Sequence, residues 1–433
     1  AFEIGRLSAV GPTVDGIRLD NTFGILALVL GRGLHGLLVV VPLVLGAKIG
    51  RAVATRLTSS EPSSPFTRRR WMTGDGVLLG FESILTVGLA GLVAWPATTP
   101  PILGDDGKPV AGSIAELATV RLGGEDQVVM IRGASPDKPV LLYLSGGPGQ
   151  SDLALARVLS SGWTKDFVVA DWDQRGNGKS YAAFEPAATM TLDQAVSDTI
   201  ELTEYLRTRF AEQKVYLMGE SWGTILGVLA AQRRPDLYYA WLGSGQMVSL
   251  VETDRRIYHD LVAYATRTGD SGLLAKLQEM GEPPYRDLPW SNASVMLWYD
   301  YLYADYTPSD GYRARGESSG LDPFGVLGSE YNLIEKANVL RGLIDTFAVL
   351  YPQLYGIDFR RDVPSLEVPV YILDGAAELN GRRDLALEWF DGLQAPVKQR
   401  VTFPGAAHSV AFEQADAVQQ LLDETIVPAT YGR

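Results

Sequence analysis

The chain has 433 residues, 46% of them hydrophobic, with 46 glycines, 24 prolines and no cysteine. That length is enough for a large core and more than one domain, and the lack of cysteine excludes disulfides, thiolate metal sites and a cysteine nucleophile while leaving the redox compartment open. The net charge of −13 is uneven: residues 1–95 hold nine Lys and Arg against six Asp and Glu, the other 338 hold 29 against 45, and so acidic a second part is not expected to bind nucleic acid.

In chain order, "FGILALVLGRGLHGLLVVVPLVLGAKI" (23–49) is long and apolar enough to span a bilayer, although Arg32 and His35 interrupt it. "GVLLGFESILTVGLAGLVAW" (76–95) is a second candidate span, with Glu82 inside and a tryptophan at its end. Between them, residues 50–71 carry five arginines and one glutamate. A short arginine-rich loop between two spans stays cytoplasmic, so the expectation is a cell-membrane protein with its downstream domain extracytoplasmic. The competing reading is a pair of buried helices in a soluble domain, which Arg32 favours.

Residues 96–113 are rich in proline and glycine and read as a linker. Beyond them, apolar runs alternate with helix-length segments. "DQVVMIRG", "PVLLYLSGG", "DFVVADWD", "KVYLMG", "YYAWLGS", "PVYILDG" and "VKQRVTF" read as strands. Residues 192–210, capped by Thr191, and residues 224–235 and 417–426 read as helices. Such alternation predicts an α/β fold, a mostly parallel sheet with helices on both faces. Its first part spans 114–248 and its second 366–433. Residues 249–365 interrupt the alternation and are expected to form a helical cap.

Four turns fall at strand ends, where ligands of such sheets sit. In "VYLMGESWGTILG", Gly219 and Gly223 flank Ser221 where a strand gives way to a helix, the setting of a nucleophile elbow. The Trp222 N–H opens that helix and faces a developing oxyanion. In "LLYLSGGPGQS", Gly146, Gly147 and Gly149 form a loop able to turn a second N–H into the site; with no Gly-Lys-Ser/Thr following, a P-loop is disfavoured. Of three histidines, His35 lies in a candidate span and His259 in a charge-rich helix. His408, on the loop after the last strand, is the one placed to act as base. The acid is sought in "VPVYILDGAAELNGRRD" (368–384), where Glu378 is favoured by its short loop after the strand and Asp374 and Asp384 are held in reserve.

With these parts assembled, the chain resembles the α/β-hydrolase superfamily, and within it the proline iminopeptidase-like branch. The carriers are "SGGPG" (145–149), "DWDQRGNGKS" (171–180), "GESWG" (219–223) and "GAAH" (405–408), and the likeness covers about residues 114–433. It implies Ser221 as nucleophile, His408 as base, Glu378 as acid, and the N–H groups of Gly147 and Trp222 as oxyanion donors. It implies no metal and no cofactor. The DQRG turn is expected to stabilise the fold. Two positions depart from the branch: Ser145 stands where it usually has histidine, and Glu220 where it usually has glycine. Both put aminopeptidase specificity in doubt rather than catalysis.

The cap stretch "WSNASVMLWYDYLYADYTPSD" (290–310) is dense in Trp and Tyr. Trp298, Asp300, Tyr301 and Asp305 are candidate substrate contacts there, with Gly146 and Glu220 on the core side. The alternative for the cap residues is packing onto the core, and Glu317, Glu330 and Asp345 are further unplaced acids. The expected activity is that of a membrane-anchored serine hydrolase acting on short peptides with a free amino terminus. An esterase or amidase is the alternative, and a catalytically silent receptor on the same fold is a third.

Overall fold

The computed structural model describes residues 95–432 except 304–305, 320–325 and 327, with five scattered positions upstream. The chain divides into two units after Pro96, and the second, Ala97–Arg433, holds everything described below. The membrane spans expected at 23–49 and 76–95 therefore lie outside the continuously described residues. Among the described residues, no helix is long and apolar enough to cross a membrane.

Eight strands form one sheet: β1 (Ile114–Leu122), β2 (Glu125–Gly133), β3 (Val140–Leu144), β4 (Val168–Asp173), β5 (Val215–Glu220), β6 (Tyr238–Ser244), β7 (Val370–Gly375) and β8 (Lys398–Phe403). Their order is β1-β2-β4-β3-β5-β6-β7-β8. β2 pairs antiparallel with both β1 and β4, and all pairs from β4–β3 to β7–β8 are parallel. β3 to β7 are buried at every position, as parallel strands covered on both faces must be. Leu142, Leu144, Leu217 and Trp241 meet the helices Leu192–Phe210, Trp222–Arg233 and Asn380–Gly392 on one face. Leu141, Tyr143, Tyr216 and Met218 meet Leu153–Leu159 and Ala415–Leu421 on the other.

The expected strands all form, and β1 is an addition to them. Its second half, ATVRL, alternates apolar and polar residues, and its first half is only half-buried, which suits an edge strand partly covered. Thr191 caps the helix Leu192–Phe210 by accepting the Gln194 N–H at 3.1 Å. The helix expected from 224 begins at Trp222, because the turn at Ser221 leads straight into it. The helix expected at 417–426 starts earlier, at Ala415, and gives way to a π turn at Leu422–Ile426. Between β6 and β7 the chain leaves the sheet for a run of helices, chiefly Leu250–Thr268, Ser271–Met280, Trp290–Leu297 and Leu333–Leu350. The first three enclose a small apolar cluster of their own around Ile257, Leu261, Leu277 and Val295.

Candidate active site

Ser221 joins β5 to the helix Trp222–Arg233 with φ 51° and ψ −115°, and its side chain is not spent on capping that helix. A non-glycine residue held there carries about 1–3 kcal/mol of backbone strain, which the surrounding contacts must offset. One such contact is the Ser221 N–H, which donates to the Ser244 carbonyl at 3.1 Å. The two flanking glycines allow the rest. A Cβ on Gly223 would stand 2.1 Å from the Leu144 carbonyl oxygen, and one on Gly219 would stand 2.5 Å from that of Gly223. The helix start is thus pressed against the end of β3.

The glycine loop lies over this elbow. A Cβ on Gly146 would be 3.5 Å from the Ser221 Cβ, and Gly147 has φ 115°, a conformation L side chains rarely adopt. Ser145 is fully buried. Gln174 connects the two segments: its Oε1 accepts the Trp222 Nε1–H at 2.8 Å, and its Nε2 donates to the Ser145 carbonyl at 3.2 Å. Asn177 adds a hydrogen bond to the Gln150 carbonyl at 3.0 Å. Part of the DQRG turn is indeed scaffolding, since Arg175 forms a buried ion pair with Asp198 at 2.8 Å. Gln174, however, braces both backbone stretches expected to supply oxyanion donors. The sequence reading missed that role, and the only signal for it was the motif's position after a strand end.

His408 follows β8 and sits on the loop after β6, where a Cβ on Gly245 would come within 2.7 Å of its Nδ1 and Cε1. Its Nδ1 is hydrogen-bonded to Glu378 Oε2. Facing a carboxylate, Nδ1 is the donor, and Nε2 is left as the atom able to take a proton. The other Glu378 oxygen accepts from the Leu379 N–H at 2.7 Å, Arg382 Nε at 2.9 Å and the Tyr303 hydroxyl at 3.2 Å. Burial opposes the charge on Glu378, but Arg382 and His408 outweigh it and hold the carboxyl below the ordinary range. The reserve acids are placed differently. Asp374 meets Arg383 at 3.4 Å and Thr402 at 3.1 Å, and Asp384 is exposed. Of the three, Glu378 is the acid that meets His408.

Two further carboxylates hold the His408 loop. Glu413 accepts the N–H groups on either side of the histidine, from Ala407 at 2.7 Å and Ser409 at 3.0 Å, and also the Tyr306 hydroxyl. Glu220 is buried, accepting Ser409 Oγ–H at 2.5 Å and the Tyr143 hydroxyl at 2.8 Å. Burial, reinforced by Asp152, pushes its carboxyl up to about 7, against the pull of Ser409, His408 and Tyr143. Glu220 was expected to contact substrate. It is instead turned into the fold, with both oxygens engaged.

The cap candidates differ in their surroundings. Trp298 packs against the cap's own apolar cluster, Tyr301 stacks on Tyr264 at 5.2 Å between ring centroids, and Asp300 is exposed. Asp305 lies outside the described residues. Glu330 pairs with Arg157 at 2.6 Å and Asp345 accepts from Tyr181 at 2.5 Å, while nothing is described of the Glu317 side chain. His259 is exposed and pairs with Glu282 at 3.0 Å. Among the described residues of the aromatic stretch, Tyr303 and Tyr306 hydrogen-bond to Glu378 and Glu413. Their neighbours share the same composition, so the sequence offered no means of singling them out.

The family described as "Serine aminopeptidase, S33" matches residues 143–268, which include the glycine loop and the elbow. "Probable aminopeptidase YbaC" of Bacillus subtilis (strain 168) is 30% identical over 307 residues, covering 71% of this chain and 94% of that protein. Among solved structures, the proline iminopeptidase-related protein of Thermus thermophilus is 19% identical with a TM-score of 0.50, covering 73% of this chain and 98% of that one. The proline iminopeptidase of Mycobacterium smegmatis is 17% identical with the same TM-score of 0.50, covering 72% and 100%. At those identities the two structures speak for the fold alone.

Proposed function

The chain belongs to the α/β-hydrolase superfamily and is a serine hydrolase of that fold, and we propose that it is an aminopeptidase acting on short peptides through Ser221, His408 and Glu378. The observation that carries the catalytic assignment is the Glu378–His408 hydrogen bond, which leaves Nε2 to serve the strained Ser221 elbow. Ser221 Oγ attacks the scissile carbonyl while His408 Nε2 takes its proton. The oxyanion is met by the N–H groups of Trp222 and Gly147. His408 then protonates the leaving amine, and water releases the acyl group by the reverse proton path. Glu378 holds the imidazole and balances its charge without itself taking the proton. The peptide substrate is supported by the serine aminopeptidase family match and by the relative described as a probable aminopeptidase.

A fluorophosphonate probe should label the protein, and Ser221→Ala should abolish labelling. Labelling that survives the substitution overturns the assignment, and an unlabelled wild type favours a silent receptor. Proline and other aminoacyl arylamides tested beside short acyl esters separate the aminopeptidase from an esterase. We further propose attachment to the cell membrane through 23–49 and 76–95, with the catalytic unit outside, on the strength of the two apolar runs and the five arginines of 50–71. A cysteine introduced at position 110 should react with an impermeant thiol reagent in intact cells; protection would contradict that orientation.

A further inference from the structure

Ser221 and His408 lie far apart in the chain, yet their immediate neighbours are joined side chain to side chain. Glu220 precedes the elbow serine and Ser409 follows the histidine. The hydrogen bond between them, at 2.5 Å, spans 189 residues of sequence. The other Glu220 oxygen is anchored by Tyr143 from the adjacent strand β3, at 2.8 Å. β3 and β5 pair in parallel register up to Leu144 and Gly219, so this anchor joins two hydrogen-bonded strands in the middle of the sheet. Ser409 is in turn fixed through its backbone N–H, which donates to Glu413 at 3.0 Å. A carboxylate suits this place because it accepts from two hydroxyls at once. Glycine, which the resembling branch usually carries here, would offer neither bond.

We propose that Glu220 is a positioning residue for His408: it ties the base loop to the end of β5 and so sets the distance between the base and the Ser221 hydroxyl. Proton transfer depends steeply on that distance, and a displacement of about 1 Å is enough to cost roughly a hundredfold in rate. The inference rests on the assignment of Ser221 and His408 as nucleophile and base. It gives Glu220 no contact with substrate.

Four variants test it: Ser409→Ala, Glu220→Gly, Glu220→Gln and the double Glu220→Gly/Ser409→Ala. Each is followed by the rate of fluorophosphonate labelling and by kcat and KM on whichever arylamide or ester the wild type hydrolyses. Ser409→Ala and Glu220→Gly should each lower kcat and labelling by roughly ten- to a hundredfold with KM within about twofold. The double variant should be no worse than the poorer single, since both remove one connection. Glu220→Gln keeps an acceptor for Ser409 and should recover most of the rate. Ser409→Ala is a small change and stays informative if Glu220→Gly does not fold. Wild-type kcat in Ser409→Ala, a loss confined to KM, or fully additive losses in the double variant would each overturn the proposal. Failure of the underlying assignment shows separately, as labelling that persists in Ser221→Ala.

Discussion

Arg382 Nε lies 2.9 Å from Glu378 Oε1, so the acid that orients His408 through one oxygen is ion-paired through the other. The pair is buried, and the Arg382 guanidinium also lies over the Tyr299 ring and donates to Tyr303 at 2.7 Å. An acid held this way stays ionised and cannot swing away from the imidazole.

Replacing Arg382 by Met should therefore destabilise the protein by about 3–5 kcal/mol at neutral pH, the usual cost of breaking a buried pair. The pH dependence follows from the depressed Glu378 pKa. Its contribution is complete above the unfolded value, about 4.3, and is lost as pH falls toward the folded one. Urea midpoints of wild type and Arg382→Met should thus differ most at pH 7 and converge below about pH 4. A gap of equal size at pH 7 and pH 3 would show that the charge pair is not its source.

Gln174 offers a test of the brace between the elbow and the glycine loop. Gln174→Leu strands the buried Trp222 Nε1–H and frees the Ser145 carbonyl, and should cost about 1–3 kcal/mol. The expected kinetic effect is a fall in kcat of roughly tenfold or more, because both candidate oxyanion donors lose their support. Full kcat with lowered stability would reduce Gln174 to scaffolding.

Gly223 tests the close approach of helix and strand. A methyl group there would meet the Leu144 backbone carbonyl at 2.1 Å, and backbone cannot swing aside. Gly223→Ala should destabilise by about 1–3 kcal/mol and abolish labelling, since any relief moves the Ser221 turn. A variant that labels normally would show that the elbow tolerates more room than its geometry implies.

Asp171 lies fully buried on β4, its carboxyl raised well above the ordinary value by burial and by Asp152 and Asp173, each itself pushed up to about 7. An acid that binds its proton more tightly when folded makes stability fall as pH rises above its unfolded value, here about 3.9. Asp171→Asn should flatten the decline measured between pH 5 and pH 8, by up to about 1.4 kcal/mol per pH unit. Thermal or urea unfolding at the two pH values reads this directly, and an unchanged slope would exclude Asp171 as its origin.

The legible parts of this protein are those that neighbouring residues decide among themselves. An apolar run such as VLLYL becomes a covered strand because its side chains alternate between two apolar layers. A strand, a serine between glycines and a helix start make an elbow for reasons of local backbone geometry, so Ser221, the glycine loop and the loop position of His408 were all visible in the sequence. Which acid would meet His408 was not. Glu378 and Asp374 lie four residues apart, and only packing sends one to the histidine and the other to Arg383 and Thr402. The same holds for Gln174 with Trp222, for Glu220 with Ser409, and for Tyr303 and Tyr306, which composition cannot tell from Trp298 and Tyr301. Each of these is a side-chain contact between distant segments. Its geometry is set by how strand ends, loops and cap come together, so tertiary structure alone decided it.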